Sequence, residues 1–149
     1  MIFKHLLVPT DFSDPAAHAL RLAVRMSRQQ AARITLLHVG RLPQAAMFDF
    51  PAYGMPLPDA LGDLQRQLAE ERTHVLERLG KEEIPQDVPW DTRLREGYAP
   101  EEILSEMGTG KYDLVVMGTH GHTGLKHVML GSVTERVLRG AAMPVLVTR

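Results

Sequence analysis

The residues best suited to chemistry lie between Val116 and Leu138. Gly118, Gly121 and Gly124 recur at every third position, and Gly131-Ser132 follows at the start of what reads as a helix. Glycines at the end of a strand let backbone N–H groups approach a ligand closely and can adopt positive φ. Successive N–H groups there make a concavity for an anion. The first N–H groups and the dipole of a following helix favour phosphate in the same way. The chemistry suggested is phosphate binding. Ser132 and Glu135 also have capping-box spacing, so the Ser132 hydroxyl serves a ligand or a plain helix cap equally well.

Other constellations are weaker. The phosphate-loop pattern G-x-x-x-x-G-K-[ST] is absent, because Tyr112 follows Gly110-Lys111 and Ser105 stands where the first glycine belongs. The G-x-G-x-x-G dinucleotide fingerprint is absent too. His120, His122 and His127 carry no acid among them and do not have the spacing of a helical ligand pair, so no metal site is expected. Asp11 closes the first apolar run. It could bind a ribose hydroxyl or Mg2+, or simply cap the turn before Ser13. No general base or arginine finger stands out, so binding is expected ahead of catalysis, with slow ATP hydrolysis or phosphoryl transfer as the alternative. A nucleotide-free interaction protein is the other alternative.

The elements that must position these groups follow from periodicity. Residues 3–8 form a short apolar run ended by Pro9, and residues 33–39 form another; both read as buried strands. Between them Ser13 can cap a helix carrying Ala16, Ala19, Leu20, Ala23 and Met26 at helical spacing. Residues 40–58 hold four prolines and several large apolar side chains and read as a long loop, a lid or partner surface in one reading and a mobile loop in the other. Leu57, Leu61, Leu64, Leu68, Val75 and Leu79 then mark the longest helix. Residues 88–95 alternate like a strand with one polar face. Pro100, Glu101 and Glu102 open a helix. Residues 113–117 make a strand, a helix runs from Ser132 to about Gly140, and residues 144–148 make the last strand. Strict β-α alternation implies a parallel sheet with helices on both faces. Ligands in such sheets bind beyond the carboxyl ends of the strands, where strand order reverses.

Composition agrees. The chain has 149 residues, a net charge of −1 and no cysteine. That is one domain of ordinary character, with no pull toward nucleic acid or membrane and no disulfide or thiolate metal site. No run approaches a membrane span, and the opening apolar stretch is too short for a signal peptide, so a cytoplasmic protein is expected. A receiver domain would need an acidic cluster after the first strand and an aspartate closing the third. Asp11 has no acidic neighbour before Asp14, and the third strand closes with Arg95-Glu96-Gly97.

The arrangement Gly118, Gly121, nine residues, then Gly131-Ser132 resembles the nucleotide signature of the universal stress protein family. The opening strand ending Val8-Pro9-Thr10-Asp11, then Ser13, is similar as well. So are Leu37-His38-Val39, the run from Asp113 to Gly118, and Pro144-Val145-Leu146-Val147. The resemblance implies one α/β domain over residues 1–149, adenine nucleotide alpha hydrolase-like. Its five parallel strands would run in the order 3-2-1-4-5 in a doubly wound sheet with helices on both faces. It implies an adenine nucleotide, ATP ahead of AMP or ADP, with Mg2+, and a homodimer through the C-terminal edge strand. By that resemblance Pro9, Thr10 and Asp11 lie beside ribose and adenine, Val39 meets adenine through its backbone, and Met117 and Gly118 flank the ribose. Gly121, Gly131, Ser132, Val133 and Thr134 hold the phosphates. Arginine is frequent in the family where this chain has His122 and His127. Histidine is mostly neutral near pH 7, so phosphate affinity is expected to rise as pH falls toward about 6; nucleotide titrations across that range check it.

Overall fold

The computed structural model describes residues 2–41, 57–119 and 130–149, and the side chains of these except residues 57–61. Among the described residues nine elements alternate: β1 (His5–Pro9), α1 (Asp14–Gln30), β2 (Arg33–Gly40), α2 (Leu57–Glu83), β3 (Trp90–Glu96), α3 (Ala99–Met107), β4 (Leu114–Gly118), α4 (Ser132–Gly140) and β5 (Val145–Thr148). The strands form one sheet in the order β3-β2-β1-β4-β5, every pairing parallel. This is the doubly wound order expected from the resemblance.

Parity divides the core. Leu6, Val8, Ile34, Leu36, Leu114 and Val116 turn to the side covered by α1 and α2 and pack with Ala19, Leu20, Ala23 and Leu76. Leu7, Leu37, Val115 and Met117 turn to the other side and meet Ile103, Met107 and Val137 from α3 and α4. The central strands are apolar on both faces, as a sheet buried on both faces requires. Each fully buried leucine or valine contributes about 1.5–3 kcal/mol.

Helix α1 starts where the sequence places it. Ser13 is its N-cap and accepts from the Ala16 N–H, with Pro15 in the first turn. Helix α2 departs in part from the expected stripe, of which Leu79 does pack against the core. Val75 faces an outer groove and Leu64 is 38% exposed, whereas Leu76 is fully buried. The face is set by Leu76 and Gly80, four residues apart, with Ile84 just past the helix end continuing it into the core. A Cβ on Gly80 would stand 2.3 Å from the Trp90 ring, so glycine there lets α2 sit on β3.

The polar face of β3 is used by α3. Arg95 donates to Glu102 at 2.7 Å and to Glu106 at 3.0 Å. Tyr112 donates to the buried Glu106 at 2.6 Å. Burial first, then the Glu106 carboxylate, pushes the Tyr112 hydroxyl up to about 12. Among the described residues no helix is long and apolar enough to cross a membrane.

Candidate functional site

The winding rule puts a crevice where β1 and β4 part. Their pairing covers only Leu6 with Leu114 and Leu7 with Val115. Above that point β1 continues with β2 as far as Pro9 opposite Leu37, while β4 continues with β5 as far as Gly118 opposite Thr148. Proline explains part of the separation. The His5 carbonyl accepts from Asp113 and the Thr10 N–H donates to Leu37, so odd residues of β1 face β4 and even ones face β2. Pro9 therefore presents its missing N–H to β4, and the ladder loses a donor there. This is the switch point, the only place in the sheet order where the direction of winding reverses.

Asp11 and Thr10 shape the turn above β1. The Ser13 hydroxyl and N–H both donate to Asp11 Oδ1, and the Phe12 N–H donates to Thr10 Oγ1. Phe12 takes a left-handed backbone with φ 64°, which costs about 1–2 kcal/mol in a non-glycine residue. Its ring rests 4.7 Å from that of His38. The cap reading of Asp11 is thus realised in the structure.

Val39 has the same parity as Leu37, so its peptide groups face the β1 side just beyond the point where β1 stops pairing. Its neighbour His38 ties the two strand ends together. Its Nδ1–H donates to the Thr10 carbonyl at 2.8 Å, because a carbonyl can only accept. Burial, aided by the Arg72 charge, holds the His38 imidazole below its usual pKa despite that bond and Asp11. The native state then takes up this proton less readily than the unfolded chain. Stability is expected to be insensitive to His38 above the unfolded value of about 6.5 and to fall as pH drops below it. Thermal unfolding at pH 7.5 and 5.5 checks this: His38→Gln should lose less stability between the two than the unmodified chain, and equal losses would contradict it. His5, also lowered mainly by burial, adds in the same direction.

At β4 the glycine requirement is spatial. A Cβ on Gly118 would stand 2.7 Å from the Pro15 carbonyl carbon and 2.8 Å from its oxygen, both backbone atoms of α1. Gly118 is not among the positive-φ glycines, and Gly131 has φ −62°. Of the two reasons anticipated from sequence, close backbone approach and left-handed backbone, the second applies to neither. Two bonds close the base of the long connection between them. The Gly131 N–H donates to the Thr119 carbonyl at 2.7 Å, and Thr134 Oγ1 donates to the Gly118 carbonyl at 2.8 Å. The Thr119 N–H in turn holds Thr148 on β5.

Helix α4 begins without the anticipated capping box. Gly131, not Ser132, is the N-cap, so no side chain caps the first turn, and the Glu135 N–H bonds to the Gly131 carbonyl. Ser132 is exposed, and among the described residues its hydroxyl makes no hydrogen bond. The N–H groups at the start of α4 lack a side-chain acceptor. Helix α3 also starts without a side-chain cap, at Tyr98, so an uncapped start gains meaning only from its place on the crevice.

Pro9, Thr10, Asp11, Val39, Met117, Gly118, Gly131, Ser132, Val133 and Thr134 all lie at the carboxyl end of the sheet, on β1, β2, β4 and the first turn of α4. Their side chains do different things. Met117 is buried, Val133 packs toward the α3–α4 core, and the Thr134 hydroxyl is spent on Gly118. What these residues offer to the crevice is mostly backbone. Gly121, Gly124, His120, His122, Lys126 and His127 lie outside the described residues, as does most of the 40–58 segment. Sequence reasoning missed the Pro15 contact behind Gly118 and the His38–Thr10 link. It also missed Arg72, which lies over Gly40 and donates to the Arg41 carbonyl at 2.6 Å. The nearest legible signal was the absence of a side chain at Gly40. A groove of about 620 Å³ on the outer face of α2, lined by Gln67, Glu70, Glu71, His74, Val75 and Arg78, lies on one helix away from the strand ends.

The fold defines a doubly wound α/β protein whose strand order reverses between β1 and β4. The chain belongs to the universal stress protein family, whose sequence profile matches residues 2–149. Universal stress protein MJ0531 of Methanocaldococcus jannaschii is 32% identical over 148 residues, covering 99% of this chain and 83% of that one. The structure of hypothetical protein MJ0577 from the same organism is similar with a TM-score of 0.79 and 31% identity, over 99% of this chain and 96% of that one. A universal stress protein in complex with cAMP shares the fold at a TM-score of 0.66 and 20% identity, over 100% and 99% of the two chains.

Proposed function

We propose that this universal stress protein binds an adenine nucleotide, ATP with Mg2+, in the crevice between β1 and β4, and that binding makes it a regulatory module of a stress response. One observation carries the reading. Gly118 and the uncapped start of α4, distant in sequence, are tied into one backbone-lined cradle by the Gly131–Thr119 and Thr134–Gly118 bonds. Free helix N–H groups beside a switch point suit phosphate. The Val39 peptide, facing outward past the end of β1, suits an adenine edge, and Asp11 suits a ribose hydroxyl or a hydrated Mg2+. The fold relative in complex with cAMP supports an adenine ligand by analogy.

The regulatory output would pass through a dimer. All four residues of β5 are part-exposed although the strand belongs to the sheet, and β4 is its partner on one side only. An edge of this kind suits strand addition from a second copy. Denaturing the purified protein and identifying the released small molecule by mass tests the ligand. An adenylate supports the reading; absence of any nucleotide, with no thermal shift in millimolar Mg-ATP, contradicts it. Incubation with Mg-ATP and product analysis then separates a binder from an enzyme, and turnover lost in Asp11→Ala would replace the binder with an ATPase.

A further inference from the structure

Two arginines at the same end of the sheet are gathered on one aromatic ring. The Arg41 guanidinium carbon lies 5.6 Å from the centre of the Tyr98 ring, and that of Arg136 lies 5.4 Å from it. Arg41 follows the last residue of β2, Tyr98 precedes α3, and Arg136 stands one turn into α4. The Gly97 N–H bond to the Gly40 carbonyl fixes Tyr98 beside Arg41. Cation–π contact holds a guanidinium in place without neutralising it.

Three carboxylates of the neighbouring segments are engaged elsewhere. Glu135 pairs with Arg139 at 2.8 Å, Glu102 with Arg95 at 2.7 Å, and Glu96 stands 3.9 Å from Arg72. Among the described residues neither Arg41 nor Arg136 has an ion-pair partner. Two like charges held at one ring without a carboxylate partner repel each other, and an anion bound beside them offsets that repulsion. Arg136 also lines an open cleft of about 540 Å³ with Ser132, Glu135 and Arg139. The cleft thus joins the uncapped first turn of α4 to Arg136, one member of the pair.

The glycine connection makes such a pair useful. Its sequence carries one lysine, Lys126, and no arginine. A triphosphate needs more. We propose that Arg41 and Arg136, gathered on Tyr98, form an anion subsite for the terminal phosphates of a nucleoside di- or triphosphate whose first phosphate lies at Ser132. This rests on the nucleotide reading above and extends it: the pair makes the protein select polyphosphorylated adenylates over AMP.

The test is calorimetric titration of the full chain with AMP, ATP and inorganic tripolyphosphate, using Arg41→Met, Arg136→Met, Tyr98→Phe and Tyr98→Leu. ATP should bind more tightly than AMP. Each arginine variant should weaken ATP about ten-fold or more, as expected for a charge-assisted hydrogen bond. AMP should weaken less than ATP, because its single phosphate lies at the first turn of α4 and not at the arginine pair. Tripolyphosphate should follow ATP. Tyr98→Phe keeps the ring and should retain ATP affinity, whereas Tyr98→Leu should lose part of it. Equal affinity for AMP and ATP in the unmodified chain, or ATP affinity unchanged in both arginine variants, overturns the subsite while leaving nucleotide binding intact. Failure of both AMP and ATP to bind removes the underlying reading instead.

Discussion

Gly118→Ala is expected to lower both the stability of the chain and its affinity for nucleotide. The added methyl would meet the Pro15 carbonyl carbon at 2.7 Å and its oxygen at 2.8 Å. These are backbone atoms in the first turn of α1, held by the Ser13 cap and the Asp11 turn before it. No flexible side-chain end can move aside, so either α1 or the end of β4 must shift. Overpacking of this kind costs on the order of 1–3 kcal/mol. For a chain of this size each kcal/mol lowers the unfolding midpoint by about 2–4 °C. The same shift moves the Gly118 carbonyl away from the Thr134 hydroxyl and loosens the cradle, so nucleotide affinity should fall at least about ten-fold, the equivalent of 1.4 kcal/mol. Gly62→Ala serves as a control: nothing lies within 4 Å of its added methyl, and it sits in a helix interior where alanine is favoured by about 1 kcal/mol. An unchanged midpoint together with unchanged nucleotide affinity in Gly118→Ala would show that the close approach of α1 to β4 does not matter.

Asp11→Ala and Asp11→Asn are expected to separate a structural carboxylate from a ligand-binding one. Alanine removes the acceptor of both Ser13 bonds, at a cost of about 1 kcal/mol or more, and loosens the entry to α1. Asparagine keeps an acceptor oxygen for the turn, so its unfolding midpoint should stay near that of the unmodified chain. If Asp11 also serves the nucleotide, both variants should bind Mg-ATP about ten-fold more weakly, because both lose a charged partner. Full affinity in a stable Asp11→Asn would leave Asp11 a turn residue only.

The order of elements was readable because each central strand is an unbroken apolar run and each helix start carries its own signal, such as Ser13 before Pro15 or Pro100 before Glu101. The face of α2 was not. Val75 and Leu76 are both apolar neighbours, and only the packing of Gly80 on Trp90 decides between them. The candidate site was legible as a set of strand ends, since alternation places Asp11, Val39 and Gly118 at one edge of the sheet. What Gly118, Ser132 and Thr134 do there was not. Gly118 answers to a steric contact with a residue about a hundred positions away. Ser132 is released from capping because Gly131 takes the N-cap position, and the Thr134 hydroxyl is drawn inward to a carbonyl. Such assignments depend on long-range contacts that neither spacing nor periodicity records. The arginine pair on Tyr98 joins three elements and leaves no local pattern at all.

Titration of nucleotide-free protein with Mg-ATP at equilibrium addresses the crevice most directly. The expected result is saturable binding of one nucleotide per chain, weakened at least about ten-fold by Gly118→Ala and unaffected by Gly62→Ala. No saturable binding at millimolar Mg-ATP by a folded, unmodified chain would contradict the assignment of the β1–β4 crevice as a nucleotide site.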